Sequence, residues 1–578
     1  MNLSVDPHGG RMVDLVVGPD RAAELKRLSL EWPSWQLTHR QLCDLELLAC
    51  GGFSPLHGFL ARRDYLSVCE SMRLADGTLW PVPVTLDVPD SVLCAAKAGM
   101  VALRDAEGVL LAALRIGEVW QPDLSAEARQ VFGTVQAAHP GVAQLMHHTH
   151  PYYVSGALEV VEPPSHADFG GLRLSPAQLR AEFARRGWHR IVAFQTRNPM
   201  HRAHQELTLR AARVAGAKVL LHPVVGCGRP GDLEAYTRVR CYQALLRTYP
   251  DDAAMLSLLP LAMRMAGPRE ALWHAIIRKN YGATHFIVGR DHGGPGTDPA
   301  GRPFYRPYDA HTLLRQHASE LGIEILAFKR LVYLPDQNRY VSADRVPAGQ
   351  RSWSISGTEL RDRIARGARL PSWFTHPDVA QELRHSYPPR SEQGFTVFFT
   401  GLSGAGKSTI ANALEMKLRE RWARSVTVLD GDVVRRHLSS GTGFTRADRD
   451  ANVRRIGFVA AEVTKHRGIA ICAAIAPYDL ARRDVRRLVE DAGGFLLVHV
   501  ATQLDECERR DRKGLYAKAR AGLLPHFTGV SDPYEVPADA DLRLGRTPMS
   551  ADRAAQRIID HLEMLGYLAP PPDAIAVT

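Results

Sequence analysis

No stretch of the chain approaches the 18 or so consecutive apolar residues that a membrane-spanning helix requires. The most apolar runs, at 395–400 and 495–500, are only strand-length. The opening MNLSVDPHGGRMVDLVVG carries no basic leader followed by an apolar core and a small-residue cleavage site, which predicts a cytoplasmic chain without a membrane partner. Eight cysteines, at 43, 50, 69, 94, 227, 241, 472 and 507, form no C-x-x-C pair. A zinc knuckle or redox couple is therefore not expected, and the thiols read as buried or idle. Gly (47) and Pro (37) stay below the range of low-complexity chains, and 45% hydrophobic with 23% charged residues is ordinary for a globular protein. At 578 residues the chain is long enough for about three to five domains. Its net charge of +10 is dispersed rather than blocked into tails. Dispersed charge suits anionic small molecules better than a nucleic acid, which is not expected as a partner. There is no internal repeat.

The expected fold class is α/β multidomain. Residues 1–167 mix short alternating runs with turn signals, as in 79–89, 100–119 and 157–164, and read as β-rich with few long helices. From 168 the pattern changes. LSPAQLRAEFARRGW (174–188) has helical spacing with Ser175 as N-cap, and RIVAF (190–194) reads as a buried strand. Alternation continues through 217–225, 236–250, 253–263, 269–282 and 284–290, predicting a parallel sheet with right-handed crossovers. The stretch RHSYPPRSEQG (384–394) reads as a linker, so the domains divide as 1–167, 168–390 and 391–578.

Within 391–578, Gly401-Leu-Ser-Gly404-Ala-Gly406-Lys407-Ser408-Thr409 is a complete G-x-x-x-x-G-K-S between the strand FTVFF and a helical segment. The glycines let backbone N–H groups approach phosphates, Lys407 reaches the β- and γ-phosphates, and Ser408 ligands Mg²⁺. The next strand ends in Asp430 and Asp432, where α/β sheets place ligands. These carboxylates orient the metal or accept a hydroxyl proton; the structural alternative is a solvated D-G turn. With no N-K-x-D guanine signature, a small kinase is favoured.

LDGDVVRRHLSSGTGFTRADRDANVRRIG and DRKGLYAKARAGLLPHFTGVSDPYEVP closely resemble the adenylylsulfate (APS) kinase family. That resemblance implies that Arg435, Phe444, Arg449 and Asn452 hold APS, with Lys513 and Phe527 from a later lid-like segment. An adenine ring suits an aromatic face and the anhydride suits guanidinium donors. Three positions depart from the family: Val433 stands for the usual Asn, Ala476 for a Ser and Asp479 for an Arg. Without the hydroxyl at 476, the resemblance implies direct transfer to the substrate.

In the middle region RIVAF runs into Gln195-Thr-Arg197-Asn198-Pro-Met-His201-Arg-Ala-His204 ahead of a helix. H-x-x-H alone also suits a metal pair. At a strand-to-helix turn, however, imidazole N–H groups are placed to stabilise an α-phosphate under attack. A second cluster, Gly289-Arg290-Asp291-His292-Gly293, again follows a strand and its glycines allow close backbone approach. Two such turns at one sheet edge predict a shared cleft.

QTRNPMHRAH, HPVVGCGRPGD, MRMAGPREA, VGRDHGGPG and SISGTELR resemble ATP sulfurylase (sulfate adenylyltransferase), and GGFSPLHGFL and WPVPVTLDV resemble that family's PUA-like N-terminal domain. The resemblance implies that Gln195, Arg197 and the Gly293 backbone hold sulfate. Asn198, His201 and His204 would contact the ATP phosphates, Gly289 to His292 the adenosine, and Arg290 would add positive charge. Arg229 replaces the usual Lys and Gly293 the usual Ala. No cysteine precedes SISGT, so no zinc is expected there.

Together the two resemblances imply sulfate activation in two steps. ATP and sulfate give APS and pyrophosphate, and a second, Mg²⁺-dependent ATP phosphorylates the APS 3′-hydroxyl to give 3′-phosphoadenylylsulfate (PAPS). The alternatives are a kinase-like domain that only binds PAPS and regulates the first site, as in fungal ATP sulfurylases, or the first reaction run backwards to make ATP. Similar enzymes assemble into dimers or larger homo-oligomers.

Overall fold

The computed structural model describes residues 5–226, 233–545 and 549–569. It divides into two compact units, one of Met1–Glu359 with Leu370–Leu383, the other of Leu360–Arg369 with Arg384–Thr578.

The first unit contains two five-stranded sheets. Strands β1 (Ser34–Gln36), β2 (Leu86–Val88), β3 (Met100–Arg104), β4 (Leu110–Trp120) and β5 (Tyr152–Val160) form a mixed sheet in the order β1-β3-β4-β5-β2. β3 and β4 form a hairpin whose turn is tied by the Asp105 carboxylate, which accepts the Glu107 and Val109 N–H groups at 3.0 and 2.8 Å. Within 79–89 only Leu86–Val88 is strand, because Pro81 and Pro83 have no N–H to give a ladder. Helices Pro19–Leu28, His39–Ala49, Arg62–Ser71 and Pro140–His148 accompany this sheet.

The second sheet is built of β6 (Ile191–Phe194), β7 (Lys218–Leu221), β8 (Ala254–Leu256), β9 (His285–Val288) and β10 (Glu324–Ala327), all parallel, in the order β10-β9-β6-β7-β8. β6 and β9 are buried at every position, which is why they read as continuous apolar runs. The helix before β6, Pro176–Arg185, starts with a full capping box between Ser175 and Gln178. The chain passes from β6 outward through β7 and β8, then returns to the other side of β6 as β9. The switch point of this doubly wound sheet therefore lies between β6 and β9, where ligands bind. One core joins the two sheets through Phe53, Trp80 and Trp273, whose ring centroids lie 5.1–6.5 Å apart and which are all fully buried. A short hairpin of β11 (Leu331–Leu334) and β12 (Arg339–Ser342) follows.

The second unit has a parallel sheet of β13 (Phe395–Thr400), β14 (Val426–Asp430), β15 (Ile469–Ala473), β16 (Gly494–Val500) and β17 (Leu542–Leu544) in the order β14-β15-β13-β16-β17. All six residues of β13 are buried, and the helix Lys407–Arg421 leaves the loop at its carboxyl end. The stretch read as a linker is partly structured: the helix Pro377–Ser386 runs into it and a 3₁₀ turn occupies Arg390–Glu392. Pro388 and Pro389, which cannot continue a helix, separate the two. Among the described residues no helix is long and apolar enough to cross a membrane.

Candidate active sites

The two turns singled out in the middle region meet at the carboxyl ends of adjacent strands β6 and β9. Arg197 joins them: its Nη2 donates to the Gly294 carbonyl at 3.0 Å and its Nη1 lies 3.4 Å from the Met265 sulfur. Gln195, 8% exposed, accepts a hydrogen bond at Oε1 from the Arg278 guanidinium. The Asn198 N–H donates to Thr196 Oγ1 at 3.2 Å, tightening the loop before the helix Arg202–Ala215.

His201 and His204 have their rings 6.0 Å apart at the start of that helix. The His201 N–H donates to His204 Nδ1 at 3.1 Å, so neutral His204 carries its proton on Nε2. His201 Nδ1 lies 3.0 Å from Thr375 Oγ1, its ring packs 4.2 Å from Phe374, and its Nε2 is buried without a partner among the described residues. Burial drives the His201 pKa well below its usual value and that of His204 down to about 4. Both are therefore neutral N–H donors near pH 7.

On the second turn, Arg290 and Asp291 are exposed and form an ion pair with each other at 2.8 Å. The His292 ring is held by His274, Nδ1 to Nε2 at 3.0 Å. Gly293 lies at φ +69°, and an added Cβ would stand 2.9 Å from the Gly267 carbonyl oxygen and 3.0 Å from Glu270 Cβ. Its carbonyl accepts the Gly267 N–H at 3.0 Å, which fastens the turn to the loop ahead of the helix Pro268–Asn280.

Sequence reasoning missed the face of that helix formed by Glu270, His274 and Arg278. The spacing of four in an otherwise apolar segment is the signal that would have found it. All three are fully buried. The Glu270 carboxylate accepts the Arg264 and Ala266 N–H groups, both at 2.9 Å, on either side of Met265. It thus clamps Met265, which sits at φ +63°, beside Arg197. Arg264 in turn pairs with Asp44 of the helix His39–Ala49, its Nη2 reaching both carboxylate oxygens at 2.7 and 2.5 Å, both side chains being 1–2% exposed. The loop read as HPVVGCGRPGD is described only to Gly226; Cys227 to Asp232, including Arg229, lie outside the described residues.

In the C-terminal unit, Gly401, Gly404 and Gly406 adopt φ of +151°, +73° and +104°. A Cβ on Gly401 would stand 2.6 Å from the Val500 carbonyl oxygen, so the loop can pass β16 only as glycine. Lys407, 8% exposed, folds onto its own loop, donating to the Gly401 and Leu402 carbonyls at 2.9 and 2.7 Å. Burial pulls its ammonium down to about 8. Ser408 Oγ donates to Asp430 Oδ2 at 2.6 Å, and Asp430 Oδ1 caps the next helix by accepting the Asp432 N–H at 3.0 Å. Asp432 is ion-paired with Lys513.

Of the residues expected to hold APS, two arginines stand over Phe444, which is 49% exposed. The guanidinium groups of Arg435 and Arg449 lie 4.5 and 5.6 Å from its ring centre. Asn452 is buried with Oδ1 lacking a partner among the described residues. Phe527 is only 6% exposed and packs edge-on against Tyr516, in the core rather than presenting an open face. Of the departures, Val433 is exposed, Ala476 is buried at φ +43°, and Asp479 opens the helix Asp479–Glu490 with its N–H donating to Glu535 at 2.6 Å.

A family model described as ATP-sulfurylase matches residues 170–386, one described as adenylylsulphate kinase matches 393–545, and one described as a PUA-like domain matches 5–163. The chain is 51% identical over 567 residues to a sulfate adenylyltransferase of Phaeosphaeria nodorum, covering 97% of this chain and 99% of the relative. It is likewise 51% identical over 571 residues to a sulfate adenylyltransferase of Neurospora crassa, covering 98% and 100%. A solved structure described as a hexameric APS kinase from Thiobacillus denitrificans covers 98% of this chain and 100% of its own, with TM-score 0.80 at 39% identity.

Proposed function

Because the chain belongs to the sulfate adenylyltransferase family along its full length and carries an adenylylsulphate kinase domain, we propose that it activates sulfate in two steps, to APS and then to PAPS. The observation that carries this reading is the co-existence, in one chain, of Gln195, Arg197, His201 and His204 on the segment that leaves β6 at the sheet's switch point and of an intact phosphate loop with Lys407 and Ser408. We place the domain boundaries near residues 167 and 390, in keeping with the spans that the three family models match.

In the first step a sulfate oxygen attacks the α-phosphorus of ATP in line with departing pyrophosphate. Sulfate is a weak nucleophile, so the protein acts by positioning and by stabilising charge. Gln195, Arg197 and the Gly293 N–H hold sulfate, while Asn198, His201 and His204 donate to the phosphates as neutral groups. Gly289 to His292 receive the adenosine, and Arg290 exchanges Asp291 for the substrate's negative charge. No covalent enzyme intermediate is involved.

In the second step Lys407 leaves the loop carbonyls for the β- and γ-phosphates of a second ATP, whose phosphates lie over the N–H groups of 401–409. Asp432 leaves Lys513 and aligns the APS 3′-hydroxyl, and Arg435, Phe444, Arg449, Asn452 and Lys513 hold the nucleotide. Ser408 and Asp430 form a hydroxyl–carboxylate pair suited to Mg²⁺, which keeps several waters and takes few protein ligands. When bound with ATP, Mg²⁺ neutralises phosphate charge. The use of ATP in both steps suits the cytoplasm, and the hexameric relative supports assembly as a homo-oligomer.

The test is to incubate the protein with labelled sulfate, Mg·ATP and pyrophosphatase and to separate the labelled nucleotides. Label reaching PAPS supports two working sites, and Lys407→Ala should then stop it at APS. Label that never leaves sulfate refutes the proposal. A second reading is favoured by the kinase-site side chains themselves, since Lys407 and Asp432 are both engaged within the protein: a kinase-like domain that binds PAPS and regulates the first site. It requires label to stop at APS in the wild type and PAPS to make the sulfate dependence sigmoidal.

A further inference from the structure

Arg278 is fully buried on the helix Pro268–Asn280, yet no carboxylate among the described residues lies within ion-pair distance of it. Its contacts are Gln195 Oε1, the His222 carbonyl at 3.3 Å and the Phe286 ring at 5.6 Å, and its Nε and Nη1 have no partner among the described residues. A buried cation is normally neutralised by a paired anion. Here burial pushes the guanidinium down to about 9, still protonated near neutral pH.

The bond to Gln195 fixes the direction of the amide. A guanidinium has only donors, so the group that faces it must be the carbonyl oxygen. The amide nitrogen is thereby turned away from Arg278 as a donor, and it has no hydrogen-bond partner among the described residues. We propose that Arg278 is a positioning residue that determines anion specificity: by holding Gln195 Oε1 it makes the subsite of Gln195, Arg197 and the Gly293 N–H a site of donors only, which selects a tetrahedral oxyanion carrying no proton.

The inference rests on the proposed sulfate role of that subsite. Sulfate is fully deprotonated at neutral pH and accepts at every oxygen. Hydrogen phosphate has the same shape but carries a P–O–H that needs an acceptor. In a site of donors that hydroxyl is left without one, and a buried donor without a partner lowers affinity by roughly one to two orders of magnitude. An amide released by loss of Arg278 can turn its oxygen inward and supply the missing acceptor.

The experiment uses the full-length protein and measures pyrophosphate release at varied sulfate and ATP, with inorganic phosphate as competitor. Arg278→Gln should raise KM for sulfate about 10- to 100-fold while KM for ATP moves less than about threefold. The ratio of the phosphate inhibition constant to KM for sulfate should fall about tenfold or more. In a Gln195→Ala background the same substitution should add less than about twofold, because Arg278 acts through the amide. Arg278→Lys keeps the charge but not the planar fork, and should lower the ratio at least about threefold. It also decides the matter if the neutral variant does not fold. An unchanged ratio in Arg278→Lys, equal effects on sulfate and ATP, or additive losses in the double variant would overturn the proposal. A wild-type protein that releases no pyrophosphate with sulfate overturns the parent reading instead.

Discussion

Removing the carboxylate of Asp44 should destabilise the first unit and loosen its cleft without touching a substrate-binding residue. Asp44 and Arg264 are 220 residues apart in sequence, bonded at 2.5 and 2.7 Å and almost completely buried. Replacing one partner of such a pair leaves a buried charge uncompensated, at a cost of about 3–5 kcal/mol. The unit comprises about 370 residues. At about 2.1 cal/mol/K per residue its unfolding entropy is about 0.8 kcal/mol/K, so Asp44→Ala should lower its Tm by about 4–6 °C. Differential scanning calorimetry measures this, with the C-terminal unit as an internal reference whose transition stays in place. The Arg264 N–H also helps position Glu270, which clamps Met265 against Arg197. KM for sulfate should therefore rise several-fold while APS phosphorylation is unaffected. Asp44→Asn, which keeps one acceptor, should fall between. A shift under about 1 °C in Asp44→Ala would refute the reasoning.

Two further predictions concern protons. Lys407 has a folded pKa near 8, below that of a free lysine, so phosphate binding should raise it and take up a proton above about pH 8. Nucleotide affinity at that site should then fall as pH rises through 8, and calorimetric titration in buffers of different ionisation enthalpy at pH 8.5 should show the uptake. Lys407→Ala should lack it, and equal heats in all buffers for the wild type would contradict the prediction. His204, with its pKa lowered to about 4 by burial, is already neutral at pH 6, and burial shifts His201 in the same direction. The kcat/KM for ATP in adenylyl transfer should be flat from pH 6 to 8 as far as these groups are concerned. An inflection near 6.5 that disappears in His204→Asn would show that an imidazolium is needed.

The phosphate loop was legible because every part of it is local: three glycines, Lys407 and Ser408 lie within residues 401–408, and strand, turn and helix follow from their own residues. The same holds for the capping box at Ser175 and for the alternating strands and helices that predicted the parallel sheets. Phe527 was named from a local match, and only packing against Tyr516 decided that its ring is buried. Pairings across long stretches were not legible. Asp44 with Arg264, Arg278 with Gln195 and Lys513 with Asp432 join residues whose separation in sequence gives no sign of contact.

By itself the sequence determined which residue types stand at each sheet edge, since backbone conformation and periodicity are set by near neighbours. The tertiary structure alone decided which of them share a cleft, which way the Gln195 amide faces, and which ionisable groups lose their solvent. Those properties depend on distance and on exclusion of water, and both arise only when remote segments pack together.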